Sequence, residues 1–508
     1  MNFSHVVARH AERTPNRLAI VAPEGRVTYA QLEDRVQRLA AGFASLGVEP
    51  GDRIALLLGN GLPFLEAHLA TLRLGAWSVP LNWRLAAEEV AYAVEHSGAH
   101  LLVTEDRYAA TAAASGARVV TTGVPEEADW VAYERLLERG RSRAVAPVAM
   151  DDVQRVMYTS GTTARPKGAL LTNGQIWWGA ASRAVDFGLW AADVGLVVAP
   201  LYHVGGLDSY TTAMLYLGGT AVVLPRFDAE RVLDAIARER VTNCWLAPTM
   251  LSMIFELPEH ERVDVTSLRT LLIGGEKAPL PLLERLGRDW PATSPYNAYG
   301  LTECQGIATY LDPAEATRKL GSVGRAAWMR EVTLLDDEGG TVPDGAPGEI
   351  AVRGPLVFAG YHDDPAATAD ALRDGWLRTG DVGVVDEEGF LYVVDRKKDM
   401  ILSGGENIAS QEIERVIHEL PEVLEAAVVA MAHPKWGEVP AAFVVARGGH
   451  AIDEARVLAH CDARLARFKV PKVVRVVGEL PRTPSGKVLK RALREQVDDA
   501  AAGGGQRS

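Results

Sequence analysis

Two lysines, Lys167 and Lys487, stand in loops of the same chemical kind about 320 residues apart. The first lies in the run Tyr158-Thr159-Ser160-Gly161-Thr162-Thr163-Ala164-Arg165-Pro166-Lys167-Gly168, the second closes Pro481-Arg482-Thr483-Pro484-Ser485-Gly486-Lys487. Glycine lets backbone N–H groups turn inward, Ser and Thr add hydroxyl donors, and the ammonium adds charge; together they can cradle phosphate oxygens. Residues 155–158 read as a short strand leading into the first loop. Gly161 and Lys167 have the spacing of G-x-x-x-x-G-K-[ST], but Pro166 replaces the second glycine and Gly168 replaces the hydroxyl that would meet Mg²⁺. An ordinary P-loop is thereby excluded, and two separate anion cradles are expected instead.

Between them lie other reactive groupings. Tyr299-Gly300-Leu301-Thr302-Glu303 sets a hydroxyl beside a carboxylate, the oxygen donor that a hard cation shares with phosphate. Gly274-Gly275-Glu276-Lys277-Ala278-Pro279 follows the apolar run 271–273, and a strand ending in a glycine turn lets a ligand approach the backbone. Thr379-Gly380-Asp381 offers a carboxylate able to accept two hydroxyls. Further on come the charge run Asp395-Arg396-Lys397-Lys398-Asp399 and the turn Ser403-Gly404-Gly405-Glu406-Asn407-Ile408. His203, in Pro200-Leu201-Tyr202-His203-Val204-Gly205-Gly206, sits among apolar residues and suits a gate better than a proton-transfer role. The chain has no H-E-x-x-H, no Cys/His zinc spacing and no G-x-S-x-G elbow.

These motifs, in this order, resemble those of the adenylate-forming superfamily: acyl- and aryl-CoA synthetases, adenylation domains and luciferases. The first loop is similar to T-S-G-T-T-G-x-P-K-G with Ala164 at the second glycine, while Y-G-x-T-E, T-G-D, G-G-E-N-I and P-R-T-P-S-G-K match without departure. The resemblance covers nearly the whole chain. It implies catalytic roles for Lys487, Thr302, Glu303 and Lys167, with Glu303 as the Mg²⁺ ligand. It implies nucleotide binding by Thr159, Ser160, Gly161, Thr162, Thr163, Gly275, Glu276, Lys277, Tyr299 at the adenine, and Asp381 and Arg396 at the ribose. His203, Leu207, Gly274, Cys304 and Ile307, with Trp245 and Gln305, would surround the acyl group, and Lys398 would be the pivot of a mobile C-terminal domain.

The implied substrates and cofactors are ATP, Mg²⁺, CoA and a small carboxylic acid, which is adenylated and then passed to the CoA thiol. Passage to a carrier-protein phosphopantetheine or to a nitrogen nucleophile is the alternative. The acyl positions mix apolar and polar residues and admit a medium-chain or aromatic acid; none of them is an arginine, which disfavours a dicarboxylate. Ala409-Ser410 departs from the family's frequent aromatic-Pro pair, and Phe468-Lys469-Val470-Pro471 resembles a stretch near CoA in relatives.

Positioning these residues takes more than one core: 508 residues imply two or more domains. A net charge of −13 argues against nucleic acid as a partner. Cys244, Cys304 and Cys461 are scattered and odd in number, which fits a reducing cytoplasm rather than a disulfide framework. Charges at His5, Arg9, His10, Glu12 and Arg13 exclude a signal peptide, and no apolar run is long enough for a membrane span.

Thr28 and Gln31 predict a capping box, and Tyr29, Leu32, Val36, Leu39, Phe43 and Leu46 predict an amphipathic helix after it. The expected fold is α/β: a large N-terminal domain (1–397) of layered α/β subdomains plus a β subdomain near 330–395, then a small mobile α+β C-terminal domain (398–495). In that small domain strands are expected at 426–430, 442–445 and 473–477, a helix at 453–465, and a disordered tail at 496–508.

Overall fold

The computed structural model describes residues 2–125, 127–139, 143–159, 165–274, 278–403, 406–448, 450–482 and 488–503. The chain forms two compact units. One comprises Met1–Thr333, Ala351–Arg378 and Gly389–Leu391; the other comprises Leu334–Ile350, Thr379–Glu388 and Tyr392–Ser508. The expected boundary at 397/398 therefore falls inside the second unit.

The first unit is built on two sheets with parallel centres, as the alternation of strands and helices requires. In the nine-stranded sheet Ser294–Tyr299, Thr270–Gly274, Asn243–Leu246, Val194–Val197, Thr220–Val223 and Leu18–Ala22 run parallel in that order. Antiparallel strands complete it at both edges. The eight-stranded sheet places Val153–Thr159 beside Trp77–Pro80 on one side and Lys167–Thr172 on the other, with Gly360–Tyr361 at the edge. Helix Tyr29–Ser45 shows both halves of its capping box: Gln31 N–H donates to Thr28 Oγ1 (3.3 Å) and Thr28 N–H to Gln31 Oε1 (2.8 Å). Tyr29, Leu32, Val36, Leu39 and Phe43 are fully buried.

The second unit contains a five-stranded sheet in which Val423–His433 pairs antiparallel with Gly437–Ala446, and Val473–Val477 lies parallel to the latter. Its strands bury both faces. Val428, Ala442 and Val444 pack with Ile413 and Ile417 of helix Ser410–Ile417, while Ala427, Val429, Ala441 and Phe443 pack with Leu493 and Val497. The hairpin strands are longer than the apolar segments predict, because polar residues such as Glu438 and His433 pair near the turn. The C-terminal helix Lys490–Gly503 runs past residue 496, where the tail is expected to begin. The alanine run at 500–502 has the composition that prolongs a helix, and glycines follow it. Residues 504–508 lie outside the described residues.

His68, fully buried with Nδ1 2.9 Å from Ser78 Oγ, has its pKa lowered to about 3 by burial and by Arg155. The unfolded chain therefore binds a proton here below about pH 6.5 that the native state refuses. Stability falls as pH drops from there, by up to ~1.4 kcal/mol per pH unit. Urea unfolding between pH 7 and pH 5 should show this slope, and His68→Asn should flatten it.

Candidate active site

The hairpin of Val153–Thr159 and Lys167–Thr172 sets Thr159 directly opposite Lys167, at the two ends of the first Ser/Thr/Gly-rich run. Ser160, Gly161, Thr162, Thr163 and Ala164 lie outside the described residues. Thr159 Oγ1 donates to Glu303 Oε1 (3.4 Å), which also accepts from the Tyr361 hydroxyl (2.9 Å). Lys167 Nζ stands 5.1 Å from the centroid of the Tyr361 ring, a cation–π contact. Burial, then the Glu303 charge, raise the Tyr361 pKa, so its hydroxyl stays protonated and remains a donor. Three chain segments thus meet at one buried carboxylate.

Tyr361 carries no motif of its own, and nothing in the sequence marks it. Pairing of Gly360–Tyr361 with Leu170 and Ala169 brings it to the hairpin. Arg165, 5.1 Å from the Tyr92 ring, and Pro166, whose carbonyl accepts from Tyr92 Oη (3.3 Å), anchor the loop's exit. A cavity of about 420 Å³ lies there, lined among others by Lys167, His96 and His362.

Glu303 is held by a tight turn. Tyr299 ends its strand, Thr302–Cys304 form one 3₁₀ turn, and the chain reverses through Gln305 and Gly306 at φ 59° and 90°. Ala308 N–H donates to Tyr299 O (2.7 Å), Gly306 N–H to Leu301 O (2.8 Å) and Phe358 N–H to Glu303 O (2.8 Å). A Cβ on Gly300 would lie 2.7 Å from Gly306 O and 2.8 Å from Ala308 N. Gly300→Ala should therefore destabilise the protein by about 1–3 kcal/mol, read by denaturant unfolding, and depress activity by displacing Thr302 and Glu303.

The residues assigned to the acyl group divide. Leu207 and Ile307 belong to the main core, with Trp245 at its margin, and Gly274 leaves room for the indole: a Cβ there would lie 3.2 Å from Trp245 Nε1. His203 is exposed, and its Nδ1 accepts from Gly205 N–H (3.0 Å), capping the short turn Val204–Gly206. Cys304 instead packs with Met157, Ala169, Leu171 and Val204, and its Sγ donates to Leu301 O (3.3 Å). Burial raises its pKa, which keeps it a thiol. Gly275, Glu276 and Lys277 lie outside the described residues.

In the second unit Asp381 and Arg396 are together, with Nε 3.0 Å from Oδ1. Asp381 N–H donates to Thr379 Oγ1 (3.1 Å), which donates to Ile350 O (2.8 Å). The charge run is folded into specific pairs rather than left as a solvated face. Lys397 meets Asp337 (2.6 Å) and Glu349 (3.2 Å), and Asp395 accepts from Ser410 N–H (2.5 Å) and Oγ (2.7 Å). Arg494 joins Asp399 (2.7 Å) and the Lys398 carbonyl (2.8 Å). Burial lowers the Lys398 pKa, opposed by Asp399. Lys487 lies outside the described residues.

No group of three or more His, Cys, Asp or Glu side chains suited to a metal occurs among the described residues. A single buried carboxylate fits Mg²⁺ only if phosphate oxygens and waters complete its shell, which is how this ion binds with nucleotides.

The chain is similar to known proteins. The AMP-binding enzyme family matches residues 7–362, and the AMP-binding enzyme C-terminal domain matches residues 412–487. Indoleacetate–CoA ligase of Aromatoleum aromaticum is 41% identical over 507 residues, covering 98% of each chain. Feruloyl-CoA synthase of an Amycolatopsis species is 41% identical over 489 residues, covering 96% of this chain and 97% of its own. The structure of o-succinylbenzoate CoA synthetase from Bacillus subtilis with ATP and magnesium ion superposes with a TM-score of 0.86 at 33% identity, covering 97% of this chain and 98% of that one.

Proposed function

Because this chain belongs to the AMP-binding enzyme family, we propose that it activates a carboxylic acid with ATP through an acyl-adenylate and transfers the acyl group to CoA. It is an acid–CoA ligase, and its preferred acid is aromatic or medium-chain. The observation that carries the reading is the convergence of Thr159, Tyr361 and Glu303 at one carboxylate beside Lys167.

The chemistry follows from these groups. A carboxylate oxygen of the acid attacks the α-phosphorus; the bond to the β-phosphate oxygen breaks and pyrophosphate leaves. Lys167 and the loop donors hold the phosphates, Thr302 bonds the α-phosphate, and Lys487 offsets charge growing between carboxylate and phosphorus. Asp381 and Arg396 take the ribose, and Tyr299 lies against the adenine. Mg²⁺ held by Glu303 supplies charge neutralisation at the phosphates. In the second half-reaction the CoA sulfur attacks the adenylate carbonyl, the thiol proton is lost, and AMP departs. We assign Lys398 as the pivot between the two half-reactions and residues 398–495 as the moving part. Three buried free cysteines suit a reducing cytoplasm. Among the described residues, no helix is long and apolar enough to cross a membrane.

Mass spectrometry of products from ATP, Mg²⁺ and a panel of aliphatic and aromatic acids, each with and without CoA, tests the proposal. A thioester with AMP is expected only with CoA. Adenylate or AMP without thioester in any mixture would move the acyl group to a carrier-protein phosphopantetheine or a nitrogen nucleophile.

Tyr361 makes a sharper prediction. Tyr361→Phe keeps the ring under Lys167 but removes the bond to Glu303. The Mg²⁺ concentration for half-maximal pyrophosphate release should rise about 10-fold, with a smaller change in rate at saturating Mg²⁺. Equal loss at all Mg²⁺ concentrations would make the tyrosine merely structural.

A further inference from the structure

Helix Asn173–Asp186 buries a polar face. Gly179, Ser182, Arg183 and Asp186 recur at helical spacing and are all buried, where an apolar stripe is the rule. The face meets the turn at Gln305 and residues 328–330. Arg183 Nη2 donates to Gln305 O (2.5 Å), and Arg330 Nη1 donates to Ser182 Oγ (2.9 Å) and Trp328 O (2.9 Å). Asp186 accepts from Ser182 Oγ (2.8 Å) and Trp328 N–H (3.0 Å). A Cβ on Gly179 would fall 1.7 Å from Gln305 Oε1, so the Gln305 amide packs directly against the helix backbone here.

These bonds do not exhaust the donors. Nε and Nη1 of Arg183, Nε and Nη2 of Arg330, both polar atoms of the Gln305 amide and the Tyr210 hydroxyl are buried without a hydrogen-bond partner among the described residues. The charges are also unbalanced. Arg155 pairs with Asp208 (2.6 Å), whose charge also acts on Arg183, so three buried guanidiniums, Arg155, Arg183 and Arg330, face two buried carboxylates, Asp208 and Asp186. Burial and the neighbouring Arg183 push Arg330 down to about 9. An uncompensated buried charge is costly, and a counter-charge in the same place removes the cost.

The cluster adjoins the acyl residues. A Cβ on Gly306 would lie 3.3 Å from Val204 and 3.9 Å from Arg183 Nη2, so the guanidinium stands just behind the turn that carries Ile307. Tyr210, with its unpartnered hydroxyl, lines a small cavity with Gly206 and Trp245.

We propose that Arg183, Arg330 and Gln305 form the far end of the acyl site, and that the acid substrate carries there a second carboxylate or another anionic oxygen group. This rests on the ligase reading above and names the substrate class of that site. It reverses the expectation drawn from the acyl positions alone, because both arginines come from outside them.

Matched acids test it: suberate against monomethyl suberate, and terephthalate against monomethyl terephthalate, with kcat/KM read from pyrophosphate release. The parent enzyme should favour the diacid of at least one pair by about 10²-fold or more, since polar groups built for a partner reject an analogue that lacks it. Arg330→Met should cut that ratio at least tenfold, and Arg330→Lys should restore part of it. Equal or better turnover of both monoesters, or a ratio that Arg330→Met leaves in place, would overturn the proposal. The parent ratio needs no variant, so it decides the matter even where Arg330→Met fails to fold. AMP formation from no acid of any kind would instead sink the ligase reading itself.

Discussion

Lys487→Ala should lower adenylate formation by about 10²- to 10³-fold, the usual loss when one donor to a developing charge is removed. Thioester formation from supplied acyl-adenylate should stay within a few-fold of the parent. The asymmetry follows from the proposed pivot at Lys398. The moving C-terminal residues bring Lys487 to the α-phosphate in the first half-reaction and withdraw it before AMP leaves in the second. In the second half-reaction the reacting centre is a carbonyl carbon and the attacking atom a sulfur. Measuring the two half-reactions separately, by pyrophosphate release and by adenylate consumption with CoA, checks the prediction. Equal loss in both would place Lys487 in the frame of the site and remove the case for a two-state cycle.

Glu303→Gln is expected to have the next largest effect, about 10²-fold on adenylation. The substitution is nearly isosteric, and its amide oxygen can still accept from Thr159 and Tyr361, so the turn should keep its geometry. What it loses is charge, and with it the preference for a hard divalent cation. The rate should therefore be poor at every Mg²⁺ concentration and need far more metal to saturate. A variant with reduced rate but the parent's Mg²⁺ dependence would show that Glu303 only orders the turn.

The residues behind these predictions differ in how far the chain alone reveals them. Lys487, marked by a contiguous motif, lies outside the described residues. Glu303 is legible because it sits in a motif of the same kind, where residue type and neighbours carry the signal. The same holds for helix Tyr29–Ser45, whose capping box and 3-4 spacing are local. Strand Val473–Val477 is legible as a short β-branched run. Tyr361 is not: its meaning depends on a strand edge pairing that joins residues 169 and 361, far apart in the chain. Arg183 and Arg330 are harder still. A charged residue within a helical segment reads as a solvated face, and only the packing of that helix on the Gln305 turn reveals that it is buried. Cys304 shows the converse. Its place beside Glu303 suggests the acyl group, yet its side chain turns into the patch with Met157 and Leu171, because the 3₁₀ turn directs consecutive residues to different sides.

The proposed reaction turns on attack by the acid's own oxygen at the α-phosphorus of ATP. The most direct measurement uses an acid labelled with ¹⁸O in its carboxylate, incubated with ATP, Mg²⁺ and CoA, followed by mass spectrometry of every phosphorus-containing product. Attack at the α-phosphorus leaves one ¹⁸O in the phosphoryl group of AMP, unlabelled pyrophosphate, and one ¹⁸O in the thioester carbonyl. Label in inorganic phosphate with release of ADP would contradict it, since that result requires attack at the γ-phosphorus and an acyl phosphate.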